Sequence, residues 1–321
     1  MIATIFDTNA YIGLVSQKSF DEVRDLIRQL KQVEQSKGYV AYINPTVAME
    51  LLSHLLDKHS MCSPSYTYTK ACMAMYAHCA DKEKNTYNIT PLQEVQIANV
   101  YWGIENKVAL ETQKNIAYIL SEIEQVPQCR TVRKYRKQLQ QIRDFIQEAE
   151  VSYIKSIEDV KTFILQENPT YKDWQSYLAD KKNRDDVTGY LNSPQLKKLL
   201  AKSMIYAIAI DLKNKGLPSP SADQIEKAID IYLQDAAIPL ELQQMILSHF
   251  DDSNYKFHLP HRVNMLWDSK ILGVVGHKLQ GKDEILLVTT DKDMQRAAKT
   301  VKSDSLIMSL PEYLKMLDFN I

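Results

Sequence analysis

Three short stretches of the chain are strand-like, largely apolar runs, and much of the remainder is paced at the helical period. Residues 2–6 (IATIF), 39–43 (YVAYI) and 284–289 (EILLVT) are rich in β-formers, as expected of parallel strands buried on both faces. Phe20, Val23, Ile27, Leu30 and Val33 recur at spacings of three and four and predict a helix over 19–35. Ser19 and Glu22 supply its capping box, and Lys37-Gly38 ends it. Asn44-Pro45-Thr46 opens a helix whose Leu51, Leu52, Leu55 and Leu56 face inward. Strand, helix, strand, helix is the opening of a parallel sheet.

From about residue 61 to about 284 the pattern predicts helices and no strand. Thr90-Pro91-Leu92-Gln93 reads as a capping box opening a helix that Pro127 stops. A second long helix is predicted over 130–166, from Val132, Tyr135, Leu139, Ile142, Ile146 and their successors, and the two form an antiparallel hairpin. Shorter helices follow: one from Pro194 to Gly216, one capped by Ser221 and one starting at Pro239. The last elements expected are a helix over 267–279, the strand at 284–289, a short strand at 305–308 and a helix over 311–317. The fold class is therefore α/β: a core with a short parallel sheet from residues 1–60 and 255–321, plus a large all-α insertion, 61–254.

The strand-like runs break into acids. Asp7 follows the first, Glu50 lies on the helix after the second, and Asp291 and Asp293 follow the third. Asp268 opens the helix at Trp267. Parallel sheets place their chemistry at the carboxyl ends of strands. Each acid alone also reads as a helix cap or a first-turn charge suited to the helix dipole. The set acquires a shared meaning if the two ends of the chain pair in one sheet.

The ordered motifs FDTN with Asp7, PTVAMELL with Glu50, LWDSKI with Asp268 and VTTDKDM with Asp291 and Asp293 resemble those of the PIN domain, a compact three-layer α/β nuclease fold. The resemblance covers 1–60 and 255–321. It implies that Asp7, Glu50, Asp268 and Asp291 are catalytic and hold Mg²⁺ or Mn²⁺. It implies that Asn9 and Thr290 orient carboxylates or water, with Asp293 at a more variable position. The expected reaction is metal-dependent endonucleolytic hydrolysis of RNA, as in a toxin of a toxin–antitoxin pair or a defence effector. The long stretch between Glu50 and Asp268 departs from the family, whose typical members have only a few helices there.

Charge changes the picture locally. With a net charge of −1 and a pI of about 6.7, a polyanion has to be met by a local track. Arg130, Arg133, Lys134, Arg136, Lys137 and Arg143, with Tyr135 among them, are the candidate RNA-binding run, and a solvated helix face is the plain alternative. Trp267 reads as core, and His54, one turn from Glu50, as a structural or surface histidine. Cys62, Cys72, Cys79 and Cys129 form no zinc pattern. No secretory leader or membrane span is read, so a cytoplasmic protein is expected. Its partners are an RNA substrate, a protein inhibitor or partner on the helical insertion, and a second copy of the chain. Two other readings stand beside the nuclease: a non-catalytic PIN-like scaffold, and a structure-specific DNA nuclease, for which a helix–hairpin–helix signature is missing.

Overall fold

The structure is a computed structural model and describes residues 1–57, 66–81, 84, 86–275 and 284–319, with the side chains of 260 and 261 excepted. The expected helix end at 276–279 lies outside the described residues, as does Cys62. The chain forms two compact units: residues 1–145 with 270–321, and residues 146–269.

In the first unit, β1 (Ile2–Phe6) leads into α1 (Thr8–Val15) and α2 (Phe20–Ser36), then β2 (Tyr39–Ala41) and α3 (Pro45–Ser53). The Ser19–Glu22 capping box closes the start of α2 as expected. Next come α4 (Thr67–Cys79), β3 (Ala80–Asp81), β4 (Thr86–Tyr87), α5 (Gln93–Trp102), α6 (Lys107–Gln125), α7 (Cys129–Lys134) and the start of α8 (Arg136–Glu167). In the second unit, α8 continues to α9 (Trp174–Ala179), α10 (Lys181–Leu191), α11 (Pro194–Asn214), α12 (Ala222–Asp235), α13 (Ala237–Leu247), α14 (Pro260–Val263) and most of α15 (Met265–Leu272). The first unit is completed by β5 (Ile285–Val288), α16 (Lys292–Thr300), β6 (Ile307–Met308) and α17 (Leu310–Met316).

The ends of the chain do pair. A four-stranded parallel sheet runs in the order β2-β1-β5-β6, with Ala3 opposite Ile285 and Phe6 opposite Val288. The Asp7 amide donates to the Val288 carbonyl at 3.0 Å, which carries the pairing up to the acids.

Three predicted elements differ. The helix expected from Thr90 to Val126 is two helices, because Gly103 adopts φ +67 at the end of α5 and Asn106 caps α6 afresh. Thr90 is no cap: it is buried and its amide donates to the Ile43 carbonyl at 2.9 Å. The helix expected from 130 is broken at Tyr135, between α7 and α8. Two-residue strands β3 and β4 lie where no strand was predicted, and the strand expected over 39–43 ends at Ala41, with Ile43 bridging to Ile89.

The compact units also divide the chain elsewhere than at 60/61 and 254/255. The reason is tertiary. Helix α4 packs on α1, α2 and α6. Its His78, 1 % exposed, places Nε2 2.6 Å from the buried Glu34 carboxylate, and Tyr313 of α17 donates to the same carboxylate at 2.6 Å. Helices 66–145 thus belong to the sheet's own core.

Candidate active site

Asp7 sits one residue past β1, in extended conformation, as the N-cap of α1. Its Oδ1 accepts from the Ala10 amide at 2.6 Å, and its Oδ2 accepts from the Thr289 hydroxyl. Thr289 stands one residue past β5, fully buried, and its Oγ1 accepts from the Asp291 amide at 2.9 Å. One hydroxyl therefore ties together the carboxyl ends of the two central strands. From α1, Thr8 donates to Glu50 Oε2 at 2.6 Å, which draws in the acid of α3. Asp291 caps α16, its Oδ1 accepting from the Asp293 and Met294 amides, each at 2.8 Å.

Asp7 is 4 % exposed. Burial pushes its carboxyl up from an ordinary 3.8 to about 6. Hydrogen bonds from Thr289 and Ala10 pull it down, and the negative charges of Glu50 and Asp291 push it further up. Asp7, Glu50 and Asp291 thus share one electrostatic field within the first unit. A carboxyl poised near neutrality in such a place is a frequent mark of a functional site.

Asp268 is partly buried on α15 in the part of that helix belonging to the second unit. Asn9 is exposed and makes no side-chain hydrogen bond among the described residues. Thr290 also turns to solvent, and Thr289 takes the role expected of it, because strand alternation carries Thr289 inward. Asp293 pairs with Arg296 on its own helix at 2.8 Å. His54 turns to Asp57 at 2.9 Å and stacks on Tyr68. Trp267 is buried, donating to Glu150 at 3.0 Å inside the second unit. Thr8 and Thr289 were missed. Their signal was a hydroxyl residue beside each strand-end acid, in FDTN and in VTTD.

Carboxylate oxygens are the donors that Mg²⁺ and Mn²⁺ prefer. Among the described residues, however, no three His, Cys, Asp or Glu side chains form a group that could hold a metal ion. The donors fit such an ion in kind. Asp7 and Asp291 now spend oxygens on amides and a hydroxyl, which ligation would have to exchange for the ion.

Arg130, Arg133 and Lys134 on α7, and Arg136 and Lys137 on α8, are all exposed in the first unit. Lys134 is matched by Glu122 at 2.5 Å, and Tyr135 is buried with its hydroxyl donating to the same carboxylate. The free positive run is therefore Arg130, Arg133, Arg136 and Lys137, which carry no ion pair among the described residues. No described helix is long and apolar enough to cross a membrane.

No family model matches the chain, and neither a curated protein nor a solved structure matches it significantly.

Proposed function

We propose that the first unit is a PIN-like, metal-dependent nuclease acting on RNA. The observation that carries this reading is the hydroxyl-linked pair Asp7–Thr289–Asp291 at the ends of β1 and β5, with Glu50 brought alongside through Thr8. Asp7, Glu50 and Asp291 are the residues that would hold Mg²⁺ or Mn²⁺. The ion would polarise a phosphodiester and acidify a bound water. Thr289 and Thr8 fix the directions of the carboxylates. Burial of Asp7 keeps water from screening the field in which a cation is attracted.

The test is cleavage of a single-stranded RNA oligonucleotide with Mg²⁺ or Mn²⁺, beside a DNA oligonucleotide of the same sequence. Cleavage of RNA by the native chain and its loss in Asp7→Asn are expected. Retained cleavage in that variant refutes the assignment, and equal cleavage of DNA changes the substrate class. A second reading, a binding protein that has kept the fold, is favoured by the absence of a ready three-ligand group among the described residues. Titration calorimetry with Mn²⁺ separates the two: the scaffold reading requires no heat of binding.

A further inference from the structure

We infer that a cavity between the start of α2 and the α6–α7 junction is a nucleotide subsite, taking an aromatic base and its phosphate. The inference rests on the nuclease reading only in making an RNA strand the expected source. The cavity, about 730 Å³, is lined by Phe20, Tyr66, Pro127, Cys129 and the two arginines Arg24 and Arg130, among others. Its volume is that of a small-molecule site.

Three observations give it this chemistry. First, its described lining holds two guanidinium groups and no carboxylate. An adjoining cavity of about 820 Å³ shares Arg24, but its Arg28 and Lys84 are matched by Asp25 at 2.8 Å and Asp81 at 2.9 Å. Among the described residues Arg24 pairs with Asp21, whose side chain is 90 % exposed, so that pair yields readily to a phosphate. Arg130 carries no ion pair among the described residues.

Second, Phe20 and Tyr66 present two rings with centroids 6.0 Å apart and tilted by 50°. Both rings are half-buried, and aromatic rings beside arginine are how single-stranded nucleic acids are held without sequence readout. Third, Tyr66 sits at φ +35, a left-handed conformation that a bulky residue adopts under strain, and it heads α4 without a side-chain cap. Strain of this kind collects where a side chain must be held for binding. Arg130 also begins the run of Arg133, Arg136 and Lys137, which carry no ion pair among the described residues, so a strand seated here would have its phosphates continued along α7 and α8.

The test is binding in EDTA, so that cleavage plays no part. Fluorescence anisotropy of a labelled single-stranded RNA decamer is measured for the native chain, Arg24→Ala/Arg130→Ala, Tyr66→Ala and Tyr66→Phe, each checked for folding by circular dichroism. Unlabelled AMP and inorganic phosphate serve as competitors. The expected result is about tenfold or weaker binding in the arginine pair and in Tyr66→Ala, with Tyr66→Phe near native. The slope of log K against log salt should fall by about 0.7 for each arginine removed. Competition by AMP supports the subsite and makes a free nucleotide its ligand, whereas no competition with intact RNA dependence supports it for a strand. Native-like RNA binding in folded arginine and Tyr66→Ala variants overturns the subsite, as does a native chain that binds neither RNA nor AMP. The nuclease reading fails separately, through cleavage that survives Asp7→Asn.

Discussion

Replacing Asp7 by Asn is expected to stabilise the protein at neutral pH while removing the proposed cleavage. The Asp7 carboxyl is raised from 3.8 to about 6, chiefly by burial. A raised folded-state value means that the native protein holds this proton more tightly than the unfolded chain. Stability from this group is fully present below 3.8, falls as pH climbs, and is lost above about 6. At roughly 1.4 kcal/mol per pH unit, the rise corresponds to about 3 kcal/mol of destabilisation at neutral pH. Asn keeps the acceptor for the Ala10 amide and offers Thr289 a donor. The Thr289 proton then loses its acceptor, which costs about 1 kcal/mol. The net gain is about 2 kcal/mol, or about 4–8 °C in Tm for a unit of this size. Thermal melts of both proteins by circular dichroism, from about pH 4 to neutrality, read the effect directly. The difference should be largest at neutral pH and should shrink to nothing or reverse near pH 4. Millimolar Mn²⁺ should raise the native Tm and leave Asp7→Asn unmoved. A variant less stable at neutral pH, or a difference that does not vary with pH, refutes the reasoning.

The same carboxyl sets the acid limb of activity: protonation of Asp7 removes a ligand, so cleavage should decline as pH falls through about 6, read from initial rates across pH at Mn²⁺ well below saturation, and saturating Mn²⁺ should move the limb to lower pH. His78→Ala leaves the buried Glu34 carboxylate with the Tyr313 hydroxyl as its one side-chain hydrogen-bond partner among the described residues, and urea unfolding should show a loss of about 3–5 kcal/mol. In Gly273→Ala, the added Cβ would collide with the side chain of the buried Gln93, and a loss of about 1–3 kcal/mol is expected in the same assay.

What was legible in the sequence is what local rules govern. The central strands β1 and β5 announce themselves because strands with both faces covered need apolar residues at nearly every position, and the edge strands β2 and β6 show as shorter apolar runs. The Ser19 and Ser221 capping boxes are closed within three residues and hold as read. Asp7 and Asp291 were found because each follows such a strand. The break at Gly103 was hidden, since the apolar period runs through it and only the left-handed φ of the glycine ends the helix. Strands β3 and β4 are two residues long, too short to carry a period. Thr289 and Thr290 are the same residue type, and only the register of β5 decides which faces Asp7.

The boundary of the core was hidden for a deeper reason: polar residues hold it. Helix α4 buries Lys70 and His78 alongside its apolar side chains, and hydropathy cannot tell such positions from surface. Yet His78 reaches Glu34 of α2, which Tyr313 of α17 also reaches, and the Tyr11 hydroxyl of α1 lies 3.3 Å from His78 Nδ1. The Phe6 ring packs against Tyr11, His78 and Tyr313 together. Phe6 is the residue before Asp7, so the setting of the candidate catalytic acid depends on a helix outside the segments that carry the family resemblance. A chain reduced to 1–60 and 255–321 would leave Glu34 without His78 and Phe6 without one wall of its pocket. It is expected to fail to fold, which far-UV circular dichroism and solubility report. A soluble, cooperatively folded product would show that the strand pairing alone fixes the acids.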